Sequence, residues 1–525
     1  MKTNTKKIRL GILLLVLLPS TAVGVVLPSG FKTQRISRPV RDFARDSINL
    51  STPLDYYASR AWVVVSGKER LWSDISTSKF MFDRNAPDRV PADYIRDYVL
   101  DETIEEIITY RDSAASIITH PVGENRILFN TCWIENGRWV NGGQGIAEDI
   151  DGARKIAYES LPAHYGRIQR IERIRQIPED ASPFVRYLSG IKTSPERYLL
   201  DKASSHKLVI NGEYHRRKVS WDMLKRLIRL PKFPDKVGTV FMELPSRCQA
   251  QMDSFMNSDS LDPEKILQIF REEQIYGWWD RGEFEFICDL WRRNHSLKAD
   301  KRVRIVLADY QPDYASMSSE KYGRAEEDRN THMADVIANE LLNSPDSRNG
   351  LFLVGCGHAS KSRQPGYASA ADGRDAALTA GAQLAERLGD DNVFTVFQHV
   401  AASDNSGNNK SLLRGGVFDR AFEANGNRPV GFDLKGSPFG EELFDGIYEI
   451  KFNAETGTYA DNFDGYLFLH PLEDEPKATP LTEIFTDEFV GEIKRRASAM
   501  GIETLFGSPV PELTKEYITG LLWGN

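Results

Sequence analysis

Leu208-Val209-Ile210-Asn211-Gly212-Glu213-Tyr214-His215 opens on a short apolar run with β-branched Val209 and Ile210, closed by a glycine and then by Glu213, Tyr214 and His215, side chains that can move a proton. An apolar run of this length, bounded by a turn signal, suits a strand buried on both faces. The pattern recurs. Residues 238–242 are followed by Glu243-Leu244-Pro245-Ser246-Arg247, and 303–307 by Ala308-Asp309-Tyr310. Residues 351–354 lead into Gly355-Cys356-Gly357-His358, 393–397 into Gln398-His399, and 466–469 into His470. Between the runs lie helical faces: Val219, Met223, Leu224, Leu227 and Ile228 mark one, and Met333, Val336, Ile337 and Leu341 another. Strand and helix in alternation predict an α/β domain over residues 205–525, a mostly parallel sheet between two helical layers.

Ligands of such sheets sit beyond the carboxyl ends of the strands. Nearly every run here ends in a group able to bind a metal or transfer a proton. A single histidine at a strand end is more often structural, but several on one rim define a candidate site. Glu213, His215, Glu243 and His358 form the expected catalytic set. Arg247, Asp309, Arg329 and His399 are expected to bind substrate, since a guanidinium forks onto two oxygens of a carboxylate or an oxyanion. Two chemistries fit. Imidazoles and carboxylates can hold a divalent transition metal, with His215, Glu243 and His358 as ligands. Alternatively, a carboxylate orients a histidine that acts as general base without metal.

Outward from this domain the grammar changes. Residues 166–204 are rich in Arg, Ile and Pro and read as a helical connector. Residues 48–165 predict a small α+β domain: helix over 53–66 and near 92–110, then strands over 115–118, 126–134 and 138–142. The Asn136-Gly137 pair between the last two is a hairpin signal, because both residues tolerate positive φ. This order resembles the nuclear-transport-factor-like domains. Residues 25–47 read as a linker.

The N-terminus reads as a secretory signal peptide over residues 1–24. Lys2, Lys6, Lys7 and Arg9 precede an apolar stretch from Leu10 to Leu18, and Ala22-Val23-Gly24 supplies small residues for cleavage. The other reading is an uncleaved anchor. Both place the body outside the cytoplasm, periplasmic or secreted, with no other membrane contact. Cleavage takes the net charge from -8 to about -12, a balance that argues against a nucleic-acid partner. Cys132, Cys248, Cys288 and Cys356 match no zinc spacing. Each suits a buried position, and Cys248 with Cys288 is the pair to examine for a disulfide.

Several motifs together resemble a known superfamily. Two Gly-x-x-His motifs end at His215 and His358, with Met242-Glu243 and Gln249…Asp253 between them and Trp278-Trp279 and Arg329-Asn330-Thr331-His332-Met333-Ala334 further on. This is similar to the superfamily of erythromycin esterases, ChaN-like haem-uptake lipoproteins and TraB/TIKI-type proteins, with the ChaN-like branch nearest over residues 205–360. The resemblance implies an exported hydrolase of ester or amide bonds in a small molecule or peptide, using Glu and His with or without a metal. The alternative that it implies is a haem- or ligand-binding protein without catalysis, with His358, His215 or Tyr214 as axial ligands. A third reading is an inactive scaffold.

Overall fold

The computed structural model describes residues 29–66, 75, 99–123, 126–135, 137–273, 279–310, 319–361, 378–403, 410–446 and 457–521. The signal segment and Trp278 lie outside the described residues. The chain divides into two units, one of residues 1–71 and 91–165 and the other of 72–90 and 166–525.

The first unit is built on a five-stranded antiparallel sheet in sequence order: β1 (Phe31–Pro39), β2 (Thr103–Tyr110), β3 (Ala114–His120), β4 (Ile127–Glu135) and β5 (Arg138–Ala147). Helix α1 (Pro53–Ser66) runs over the predicted residues. It meets the sheet through Tyr56, whose hydroxyl donates to Asn141 Oδ1, and Arg60, which donates to Gln144 Oε1. Two expectations are corrected. Residues 31–39 are not linker but an edge strand, paired with β2 from Phe31↔Tyr110 to Pro39↔Thr103. The helix expected near 92–110 gives way over 103–110 to a strand. There Thr103, Ile104, Ile107, Ile108 and Thr109 favour the pleated surface, and β1 and β3 pair with both edges. Pairing of Glu135 with Arg138 closes the hairpin at the Asn-Gly position.

The second unit carries a seven-stranded sheet. Its strands are β6 (Leu208–Glu213), β7 (Val237–Pro245), β8 (Arg304–Asp309), β9 (Asn349–Gly355), β10 (Val393–Gln398), β11 (Val430–Asp433) and β12 (Gly465–Phe468). The spatial order is β11-β12-β10-β6-β9-β7-β8. All pairs are parallel except β11 with β12, so an antiparallel edge strand closes one side.

Alternate residues of each strand feed two cores, one per face. Val209, Val240, Met242, Leu307, Leu351 and Leu353 face one core, with α2 (Lys218–Arg229) and α3 (Arg281–His295) packed over it. Ile210, Phe241, Val306, Phe352, Val354 and Phe397 face the other, with α4 (Ser319–Asn343) and α5 (Ala380–Leu388). The second unit is thus the three-layer α/β structure that the alternation implies. Among the described residues, no helix is long and apolar enough to cross a membrane.

Candidate active site

Because β6, β9, β7 and β8 are neighbours in that order, their carboxyl ends bring Glu213, Gly355, Glu243 and Asp309 to one rim. His215 lies two residues beyond β6, before Arg216, whose φ of 63° is left-handed. Gly355 is required by crowding. A Cβ there would stand 2.7 Å from His215 Nε2 and 3.4 Å from Glu243 Oε2.

Glu243 is the hub. Its Oε2 accepts from Gly355 N–H at 2.6 Å, and its Oε1 accepts from Arg329 Nη2. The two histidines flank it, His215 Nε2 at 3.8 Å and His358 Nε2 at 3.6 Å. Arg329, from α4, is pinned by Asp309 through Nε at 2.6 Å and Nη2 at 2.8 Å. His215 Nδ1 lies 3.2 Å from Glu213 Oε1. His358 Nδ1 lies 2.8 Å from Asn330 Oδ1, which also accepts from Ala380 N–H at 3.0 Å. That second donor fixes the Asn330 amide with its oxygen toward the ring, so His358 carries its proton on Nδ1. Its Nε2 then holds the lone pair, 3.4 Å from Arg329 Nη1.

The two histidines are tuned in opposite directions. Burial, with the Arg329 charge beside it, pushes His358 down to about 4 against the pull of Glu243, which keeps the ring neutral. Burial also works to lower His215, but the Glu213 hydrogen bond and the Glu243 and Glu213 charges outweigh it and raise the ring above its ordinary value. Burial works to raise Glu243, yet the Arg329, His215 and His358 charges and the Gly355 N–H hold it down at about 2. Two groups of one type pushed apart by their surroundings are the mark of divided acid–base roles.

The donor set does not fit a metal. Both Glu243 oxygens are taken by N–H donors, and a guanidinium already supplies the positive charge at the centre. Among the described residues no group of three or more His, Cys, Asp or Glu is arranged to hold an ion. Among the described residues, the two rings meet carboxylates and a guanidinium. Tyr214 donates its hydroxyl to the Gly446 carbonyl.

The rim gathers Glu213, His215, Glu243, Asp309, Arg329 and His358 from the sequence reading. Arg247 instead pairs with Glu272. His399 is buried, with Nδ1 on the Tyr466 hydroxyl at 2.7 Å and Nε2 on Asp419 at 3.1 Å, a cluster apart from Glu243. Asn330 was visible in the Arg-Asn motif but had no assigned role. Cys248 and Cys288 are both free and buried.

No protein-family model matches the chain, and no curated protein matches it. Solved structures similar to parts of it include a mutant erythromycin esterase in its open conformation, at 11% identity and a TM-score of 0.34, covering 54% of this chain and 93% of that one. A protein from Bacillus cereus gives 10% identity and a TM-score of 0.35, over 55% and 97% of the two chains. A succinoglycan biosynthesis protein gives 10% and 0.37, over 59% and 97%. Similarity at this level carries no assignment, and the chemistry rests on the geometry of the rim.

Proposed function

We propose that this chain is a metal-independent hydrolase of ester or amide bonds, with His215 as general base. The observation that carries the reading is the oriented pair: Glu213 accepts from His215 Nδ1–H and directs Nε2 into the rim, opposite a second, neutral imidazole. His215 Nε2 takes a proton from water as the water oxygen bonds to the substrate carbonyl carbon. The negative charge on the carbonyl oxygen falls to Arg329 Nη1, held in place by Asp309 and Glu243. The bond from that carbon to the leaving oxygen of an ester, or to the leaving nitrogen of an amide, then breaks, and His215 returns its proton to that oxygen or nitrogen. The products are an acid and an alcohol or amine. His358, neutral, accepts from Arg329 Nη1 at its Nε2 lone pair and helps to hold the guanidinium toward the carbonyl oxygen.

The test uses p-nitrophenyl acetate. His215→Ala should lose the activity by roughly 100-fold or more, the ordinary scale of a positioned base, with an unchanged melting temperature. Wild-type turnover in a folded His215→Ala protein would sink the mechanism.

A further inference from the structure

Beside the proposed base lies a set of carboxylates that the mechanism does not use. Glu213 is only 5% exposed, and one of its oxygens is engaged with His215, while Oε2 accepts no hydrogen bond from any described residue. Asp280 is 2% exposed and caps α3, accepting from Gly282 N–H at 2.6 Å through Oδ1, while its Oδ2 likewise accepts nothing from the described residues. A buried carboxylate oxygen without a donor is costly and calls for an explanation.

One further segment contacts the stretches that carry both residues. The segment around residues 475–480 bonds on one side to the turn after His215, through Glu475 with Arg217 Nε at 2.8 Å and a bridge of Lys477 with Arg217. On its other side it holds the start of α3, through a bridge of Pro480 with Asp280 and Arg281 N–H on Thr479 O at 3.1 Å. Asp280 follows Trp279, a fully buried residue with φ of 34°, and His215 precedes Arg216, also left-handed.

The electrostatics agree with the placement. Burial and the Glu213 charge raise Asp280 to about 6, against the Gly282 N–H and the nearby His215 and Arg216 charges. Burial, with Glu273, Glu213 and Asp280 around it, pushes Glu283 well up. Arg216 faces Asp280 and Glu273, and burial pushes its guanidinium down. Among the described residues, Glu213, Glu273, Asp280 and Glu283 gather here with His215 and Arg216.

We propose that Glu213 Oε2 and Asp280 Oδ2 form a subsite for a primary ammonium group of the substrate, next to the carbonyl that His215 acts upon. The subsite rests on the hydrolase reading for its purpose, though not for its existence. A guanidinium prefers both oxygens of one carboxylate, and each of these offers one. Calcium wants six to eight oxygens. An ammonium is a compact charge with three donors and bridges single oxygens of two carboxylates. The substrate class is therefore an ester or amide carrying an amine a few bonds from the scissile carbonyl.

Two measurements on the full chain test this at mildly alkaline pH. Calorimetry with n-butylammonium should show binding, about tenfold weaker in Asp280→Asn, the scale of one charge-assisted hydrogen bond. Asparagine caps a helix as well as aspartate does, so the fold is kept. Turnover of p-nitrophenyl ω-aminohexanoate should exceed that of p-nitrophenyl hexanoate, and the ratio of the two rates should fall to about one in Asp280→Asn. Equal n-butylammonium binding by the two proteins, or none by either, overturns the subsite even if the neutral ester is hydrolysed. Asp280-dependent binding with both esters inert would keep the subsite and remove the hydrolase reading.

Discussion

His215 and His358 sit on either side of one carboxylate, at 3.8 and 3.6 Å, yet they are driven to opposite protonation states. The difference lies in what each Nδ1 meets. His215 faces the charged Glu213 and gains from being cationic; His358 faces the neutral amide of Asn330 and is left with burial and a guanidinium. A general base works only when deprotonated, so the rate should fall as pH drops through the His215 pKa, which lies above the ordinary value of about 6.5. Glu213→Gln keeps an oxygen for Nδ1–H but removes the charge that favours the imidazolium. The acidic limb of the kcat/KM profile should then move to lower pH by on the order of one unit. A limb that stays in place would show that Glu213 does not set this pKa. At the residue scale the four central side chains were legible, because each follows an apolar strand. Asp280 was not, since a lone Asp before Arg-Gly-Glu reads simply as a helix cap. Arg247 misled because a sequence does not reveal Glu272 as its partner.

The elements explain why these residues meet. Glu213, Gly355, Glu243 and Asp309 come from β6, β9, β7 and β8, neighbours in space though not in sequence. Parallel register does the alignment: Glu213 pairs with Gly355 across β6 and β9, and Pro245 with Asp309 across β7 and β8. Strand end and strand order together therefore encode the site, and only the first can be read from apolar runs. The same limit applies to β11, four residues long, and to β2, whose Thr and Ile content was hidden in a stretch that seemed helical. Gly355 tests the element-scale argument. Its φ of -54° suits any residue, so the glycine is there for space. Gly355→Ala places a methyl 2.7 Å from His215 Nε2, and the ring must shift while β9 stays paired. Displacement on the ångström scale costs about 100-fold in rate. Ester hydrolysis should fall by that factor with little change in melting temperature. A fully active Gly355→Ala protein would mean that His215 works from another position.

For the whole molecule, export and the cysteines make joint demands. We propose, from the basic and apolar N-terminal segment, that the body works outside the cytoplasm, where exposed thiols pair or oxidise. All four cysteines are buried, and no disulfide joins any of them. Burial raises the thiol pKa of Cys132, Cys248 and Cys288, with Cys288 reaching about 11. A thiol held protonated and away from solvent is a poor nucleophile, so the fold can persist in an oxidising compartment with no disulfide. Intact-mass measurement of protein recovered from outside the cytoplasm, alkylated without reductant, reads both claims at once. Denatured protein should carry four alkyl groups on a chain lacking residues 1–24, and native protein should carry none. A full-length mass would show that the N-terminal segment is kept as an anchor. Fewer than four alkyl groups after denaturation would show that two of these cysteines do pair, and that the packing around them differs from the one described.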